Sequence, residues 1–141
     1  MIVADVMTTA VVTVEMDDSL EHIASLFRVH GFHHVLVVSH RKVVGVISDR
    51  DVLRNISPFV GKLAERPQDA ETLKKRAHLL MSRTLISVGA DVTVEVAANL
   101  MIARGVSCLP VIDDQGHPRG IVSWRDLLKA LAATPPPGSP G

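Results

Sequence analysis

Apolar residues recur with helical spacing in two stretches of the chain. Leu20, Ile23, Ala24 and Phe27 stand at i, i+3, i+4 and i+7, and Val94, Ala97, Ala98 and Met101 repeat that arrangement. Each stretch predicts a helix presenting one apolar stripe. Gly31 and Gly105 follow as stops, because glycine accepts the left-handed conformation that ends a helix. Short apolar runs come next, Val35-Leu36-Val37-Val38 and Cys108-Leu109-Pro110-Val111-Ile112, and these suit buried strands. Ahead of the first helix, the β-branched run Val11-Val12-Thr13-Val14 predicts a short strand. Asp18, three residues before Glu21, predicts the helix cap.

The two stretches belong to a duplication. Met7 and Met81 lie 81 − 7 = 74 positions apart, and the same offset relates Gly31 to Gly105 and Val37 to Val111. Past Val38 the offset becomes 120 − 45 = 75, so one residue is inserted where Ser39-His40-Arg41-Lys42 faces Asp113-Asp114-Gln115-Gly116-His117. A β-hairpin turn tolerates such an insertion. Both halves end on one motif: Gly45-Val46-Ile47-Ser48-Asp49-Arg50-Asp51-Val52-Leu53 returns as Gly120-Ile121-Val122-Ser123-Trp124-Arg125-Asp126-Leu127-Leu128. The motif reads as a strand running into a helix start, with Ser48 and Ser123 at the N-cap. Each repeat is therefore predicted as β-α-β-β-α, in an α+β fold. Neither repeat covers its sheet with its own helices, so the two are expected to pack sheet against sheet about a pseudo-twofold axis, sharing one core.

The repeats are placed at residues 1–58 and 80–133. Residues 59–79 are rich in Lys, Arg, Asp and Glu and predict a polar, partly helical connector with Pro58 and Pro67 as breaks. Residues 134–141, Thr-Pro-Pro-Pro-Gly-Ser-Pro-Gly, predict a disordered Pro-rich tail.

Composition narrows the class. At 141 residues the chain suits one ordinary domain, and with 47% hydrophobic but only 3% aromatic residues its core must be aliphatic. Fifteen basic residues balance fifteen acidic ones, so no overall field draws in nucleic acid or an anionic membrane. Cys108 has no second cysteine to pair with, and neither a signal-like start nor a run of ~20 apolar residues is present. A cytoplasmic setting is expected.

A Ser-x-x-Asp sequence is also a capping box, which needs no ligand. Its recurrence in matched surroundings gives it further weight. A duplicated β-α-β-β-α unit of ~60 residues ending in Gly-h-h-Ser/Thr-x-x-Asp resembles the cystathionine-β-synthase (CBS) domain, which occurs in tandem pairs. Asp5-Val6-Met7-Thr8, Leu80-Met81-Ser82 and Cys108-Leu109-Pro110-Val111-Ile112-Asp113 agree with that resemblance. Ile47-Ser48-Asp49-Arg50-Asp51 followed by Ser57-Pro58-Phe59 is similar to the acetoin-utilisation protein B type.

The resemblance implies a regulatory module binding adenosine-bearing ligands such as AMP, ADP, ATP or S-adenosylmethionine in two clefts. The residues fit such ligands. An ionised aspartate only accepts hydrogen bonds and can take both hydroxyls of a ribose cis-diol, which suits Asp51 and Asp126. Ser48 and Ser123 mark helix starts whose N–H groups favour a phosphate, with Arg50 and Arg125 as charged donors. In the resembling pairs each cleft combines the Ser/Thr-x-x-Asp of one repeat with an apolar adenine wall from the other. Carried over, cleft A uses Ser48, Asp51, Ile86, Cys108, Pro110 and Arg125. Cleft B uses Val12, His34, Leu36, Arg50, Ser123 and Asp126. Pro110 offers a flat apolar face where repeat 1 has Leu36, so the clefts are unequal, and His34 would favour a phosphate once protonated.

Other chemistries fit less well. Adjacent His33 and His34 point to opposite faces of a strand, unlike converging zinc ligands, so no metal is expected. A triad drawn from Ser48, Asp51 and a histidine would need an adjacent base and an oxyanion hole, and a Ser-x-x-Asp cap already explains the pair, so no enzyme activity and no catalytic cofactor are expected. Cys108 reads as a small buried hydrophobe. The expected partners are an adenine nucleotide, a second copy of the chain through the helices at Asp49 to Ile56 and Arg125 to Ala133, and an effector protein. The alternatives are a ligand-free assembly module or a pair specific for S-adenosylmethionine or NAD.

Overall fold

The computed structural model describes residues 1–133; the expected Pro-rich tail lies outside the described residues. In chain order the first elements are α1 (Val3–Val6), β1 (Thr13–Glu15), α2 (Leu20–His30), β2 (His34–Ser39), β3 (Lys42–Ser48) and α3 (Asp49–Asn55). There follow α4 (Pro67–Glu71), a 3-10 turn (Thr72–Lys74), α5 (Ala77–Leu80), α6 (Val94–Arg104), β4 (Cys108–Ile112), β5 (Pro118–Ser123) and α7 (Trp124–Ala133). The α+β duplication is thus present.

Contacts divide the chain into two compact units, Val12–Leu85 and Met1–Val11 with the chain from Ile86 onward. Each has its own aliphatic core, in place of the single core expected from the sequence. One core gathers Leu20, Ile23, Val35, Val37 and Ile47, and the other gathers Val3, Ala97, Leu109, Val111 and Val122. Burying each of these Val, Leu and Ile side chains contributes roughly 1.5–3 kcal/mol.

The units trade segments. The stretch that leads into repeat 2 is bonded to the body of repeat 1: Leu20 N–H donates to Lys75 O at 2.7 Å, and Ser82 N–H donates to Val46 O at 2.9 Å. The stretch that leads into repeat 1 makes the same bonds in the other unit, Val94 N–H to Met1 O at 3.1 Å and Thr8 N–H to Ile121 O at 2.8 Å. The helical turns α1 and α5 seal the two cores with Val3 and Ala77, both fully buried.

This exchange explains the glycine of the repeated motif. A Cβ on Gly45 would stand 2.6 Å from Met81 Sδ, and one on Gly120 would stand 2.8 Å from Thr8 O and 3.0 Å from Met7 Sδ. Only a residue without a side chain lets the incoming segment lie so close.

The two sheets differ. In the first unit β1 pairs parallel with β2, which pairs antiparallel with β3. In the second, β4 and β5 form an antiparallel pair, and the counterpart of β1 is a single parallel bridge between Val88 and Val111. The cause is local chemistry. Leu36 N–H donates to Val12 O at 3.4 Å, whereas Pro110 at the equivalent place has no N–H. Gly89 stands where repeat 1 has Glu15 and weakens the strand further.

Capping falls one residue later than the sequence suggested. Ser19, not Asp18, caps α2 by accepting from His22 N at 3.2 Å, while Asp18 accepts from Glu15 N at 2.7 Å and closes the preceding turn. Thr93 caps α6 in the same way. Gly31 and Gly105 end these helices with φ of 68° and 64°. Pro67 begins a helix rather than breaking one: it occupies the first turn of α4, where a missing N–H costs nothing. The connector is tied to repeat 1 by Ser57 Oγ, which donates to Asp69 Oδ1 at 2.7 Å and holds that carboxyl below its usual range.

Two stability predictions follow from this packing. Gly120→Ala should cost about 1–3 kcal/mol in denaturant unfolding, more than Gly45→Ala, because its Cβ meets backbone rather than a movable thioether; wild-type stability in both would contradict the close approach. In the β2–β3 turn His40 and Arg41 have φ of 51° and 68° without being glycine. Arg41→Gly should stabilise the first unit by about 0.5–1 kcal/mol, since this turn geometry suits Asn-Gly; destabilisation would show that the left-handed pair carries no strain.

Candidate functional site

Each unit carries one complete Ser-x-x-Asp box. Ser48 N–H and Oγ both donate to Asp51 Oδ2, at 2.8 and 3.0 Å, and Asp51 N–H returns a bond to Ser48 Oγ at 3.2 Å. The second box repeats this, with 2.8 and 3.1 Å from Ser123 to Asp126 Oδ2 and 3.3 Å for the return bond. Two half-buried carboxylates are therefore fixed in matching orientations at the starts of α3 and α7.

The remaining anticipated residues gather beside these boxes. In the first unit His34 lies opposite Ser48 in the β2–β3 register, and Leu36 is bonded to Val12, so Val12, His34, Leu36, Ser48 and Asp51 share one end of the sheet, with Arg50 exposed on the first turn of α3. In the second unit Cys108 lies opposite Ser123, with Pro110 two residues on; Ile86 lies two residues before the Val88 bridge, and Arg125 sits 5.7 Å above the Trp124 ring. Each unit thus pairs the carboxylate assigned to one cleft with the apolar wall assigned to the other. Leu36 and Pro110 are fully buried and Cys108 nearly so, leaving half-buried Val12 and Ile86 as the accessible parts of those walls. Burial pushes the Cys108 thiol up to about 12, which makes it inert.

One chemical expectation is corrected. Two of the backbone donors at the first helix start are not free for a phosphate: Asp49 N–H donates to His33 O at 3.0 Å and Asp51 N–H serves the cap. In the second box Trp124 N–H likewise donates to Ser107 O at 3.0 Å. The exposed guanidinium groups of Arg50 and Arg125 stand beside the two boxes as charged donors.

Three features were not anticipated. His33 Nδ1 lies 2.9 Å from Asp49 Oδ2, and that hydrogen bond is the main reason the Asp49 carboxyl sits below its usual range. His34 has its pKa lowered from 6.5, chiefly by burial, with Asp49 and Asp51 opposing the shift and His33 adding to it. Thr8 Oγ1 donates to Asp126 Oδ1 at 3.2 Å. A signal for the last was present in the sequence, since Met-Thr at Met7 and Met-Ser at Met81 share the repeat offset. Among the described residues no group of three or more His, Cys, Asp or Glu is placed to hold a metal ion, and no helix is long and apolar enough to cross a membrane.

Two copies of one α+β unit, each closing on a Ser-x-x-Asp box, define a duplicated two-repeat module. The family model of the CBS domain matches residues 3–58 and 77–133, and the chain belongs to that family, as a CBS pair. It is 30% identical over 125 residues to the CBS domain-containing protein YhcV of Bacillus subtilis, an alignment covering 89% of this chain and 81% of that protein. Of some longer relatives it spans as little as 22%. The CBS domain pair of protein MJ0100, solved with 5′-methylthioadenosine and S-adenosyl-L-methionine, superposes with a TM-score of 0.77 at 24% identity, covering 94% of this chain and 96% of that one. CBSX2, solved in complex with AMP, gives 0.76 at 24% identity, covering 93% and 96%. One structure, described as an acetoin utilization protein (AcuB) from Vibrio cholerae, shares the fold with a TM-score of 0.74 at 22% identity, covering 96% of this chain and 98% of that one.

The lowered pKa of His34 has a sign that can be checked. Between 6.5 and its lower folded value, the unfolded chain binds the extra proton, so this group stabilises the fold above pH 6.5 and that contribution is lost as pH falls. From about pH 7.5 to about pH 5.5 the melting temperature of the wild type should therefore drop more than that of His34→Gln. Parallel profiles would contradict it.

Proposed function

We propose that this CBS pair is a sensor of adenosine-bearing ligands, with AMP, ADP or ATP as the ligand. The observation that carries the reading is the pair of preoriented carboxylates, Asp51 and Asp126, each beside an apolar strand end and within one residue of an exposed arginine. In this reading the carboxylate accepts the ribose cis-diol, the guanidinium takes phosphate and the apolar residues face adenine. Cleft A is formed by Ser48, Asp51 and Arg125 with Ile86, Cys108 and Pro110. Cleft B is formed by Ser123, Asp126 and Arg50 with Val12, His34 and Leu36. The ligands carried by MJ0100 and CBSX2 support this class of ligand, which the chemistry of the boxes suggests on its own.

A ligand touching both repeats would bias their arrangement, and an effector protein sensitive to that bias would receive a coupling free energy. No turnover is proposed, so the nucleotide should emerge unchanged from incubation with the protein. Association of two copies is proposed through α7 and α3, on which Trp124, Leu128, Leu131 and Leu53 are 48%, 50%, 69% and 73% exposed.

A second reading deserves its own outcome, because both boxes are complete as helix caps. A thermal-melt panel with AMP, ADP, ATP, NAD and S-adenosylmethionine on the wild type, Asp51→Ala and Asp126→Ala separates the two. Sensing predicts a concentration-dependent rise with one ligand that is reduced in each variant. Caps alone predict a loss of ~0.5–2 kcal/mol per variant and no response to any ligand, which would leave an assembly module.

A further inference from the structure

The two boxes differ in how much of each carboxylate is still open. A carboxylate offers about four acceptor positions. At Asp51 two are taken, both on Oδ2, by Ser48 N–H and Ser48 Oγ. Two remain, which is what the two hydroxyls of a cis-diol require. At Asp126 three are taken, by Ser123 N–H, Ser123 Oγ and Thr8 Oγ1. One remains, and a cis-diol brings one donor too many.

The asymmetry comes from the exchanged segments. Thr8 is pinned to β5 by two backbone bonds with Ile121, of 2.8 and 2.9 Å, and from there its hydroxyl reaches Asp126 Oδ1. Its counterpart Ser82 is pinned to Val46 in the same manner, yet its bonds are to Val46 only and Asp51 Oδ1 meets no hydroxyl among the described residues. Threonine and serine differ here by one methyl group. The branched Cβ restricts the χ1 rotamer, whereas serine turns more freely.

We propose that Thr8 is an internal competitor for the ribose at Asp126, so that the Asp51 site fills first and the Asp126 site only when the Thr8 hydroxyl swings away. The inference rests on the nucleotide-sensing reading above and deepens it. Thr8 is exposed and its backbone bonds do not involve the hydroxyl, so the side chain can turn to water while the segment stays in place. What is lost on ligand entry is one hydrogen bond to a charged acceptor, enough to weaken binding by roughly tenfold. The threonine therefore sets an affinity gap between two otherwise similar sites.

The test uses the full chain and AMP in isothermal titration. In an Asp51→Ala background, which leaves Asp126 as the anchor, Thr8→Val removes the hydroxyl and keeps the β-branched shape; Thr8→Ala is a second variant should the valine crowd the strand, and Thr8→Ser retains a donor. Binding in Thr8→Val and Thr8→Ala should tighten by roughly tenfold over the background, with Thr8→Ser in between. Unchanged or weaker binding, while the wild type still binds AMP, would overturn the role of Thr8 alone. Absence of AMP binding by the wild type as well would overturn the sensing reading and this inference together.

Discussion

The structure depends on a reciprocal exchange of lead-in segments. Met7-Thr8 lies against β5 and Met81-Ser82 against β3, each within van der Waals reach of a glycine that has no room for a side chain. Backbone bonds fix the register, and Val3 and Ala77 on the adjoining helical turns complete the two cores. Neither repeat is a self-sufficient folding unit in this arrangement. Each contributes the closing element of the other's core, so duplication and stability are tied together.

The same exchange shapes the candidate site. The glycine that admits the incoming methionine stands three residues before the capping serine, so strand, cap and carboxylate are built as one piece. The cap orients the aspartate through Oδ2 and takes up part of the helix-start donors, with the exposed Arg50 and Arg125 beside it. Oδ1 is where the two halves diverge: among the described residues Thr8 reaches it at Asp126, and no hydroxyl reaches it at Asp51.

Much of this was legible in the residues. The helical stripes of Leu20 to Phe27 and Val94 to Met101, the glycine stops and the N-cap serines are local signals, and local signals survive folding. What was hidden was long-range. Nothing in the spacing of Met81 announces that it packs on Gly45, and a tandem repeat gives no sign that its lead-in segments change places. The shortened strand at Val88 could have been read from Pro110, whose missing N–H removes the ladder bond that Leu36 makes in repeat 1. The cap of α2 moved from Asp18 to Ser19 because two adjacent capping residues compete and the turn claims the first. Leu36, Cys108 and Pro110 lie on β2 and β4, where the apolar runs predicted strands, whereas Val12 and Ile86 lie outside the strands, and periodicity does not tell how deep Leu36 and Pro110 lie.

The central claim is that the boxed carboxylates receive a ribose cis-diol, and comparing AMP with 2′-deoxy-AMP tests it most directly. Removing one hydroxyl should weaken binding to the wild-type chain by roughly tenfold or more, the worth of a hydrogen bond to a charged group. Equal affinity for the two nucleotides would mean that Asp51 and Asp126 serve only as helix caps.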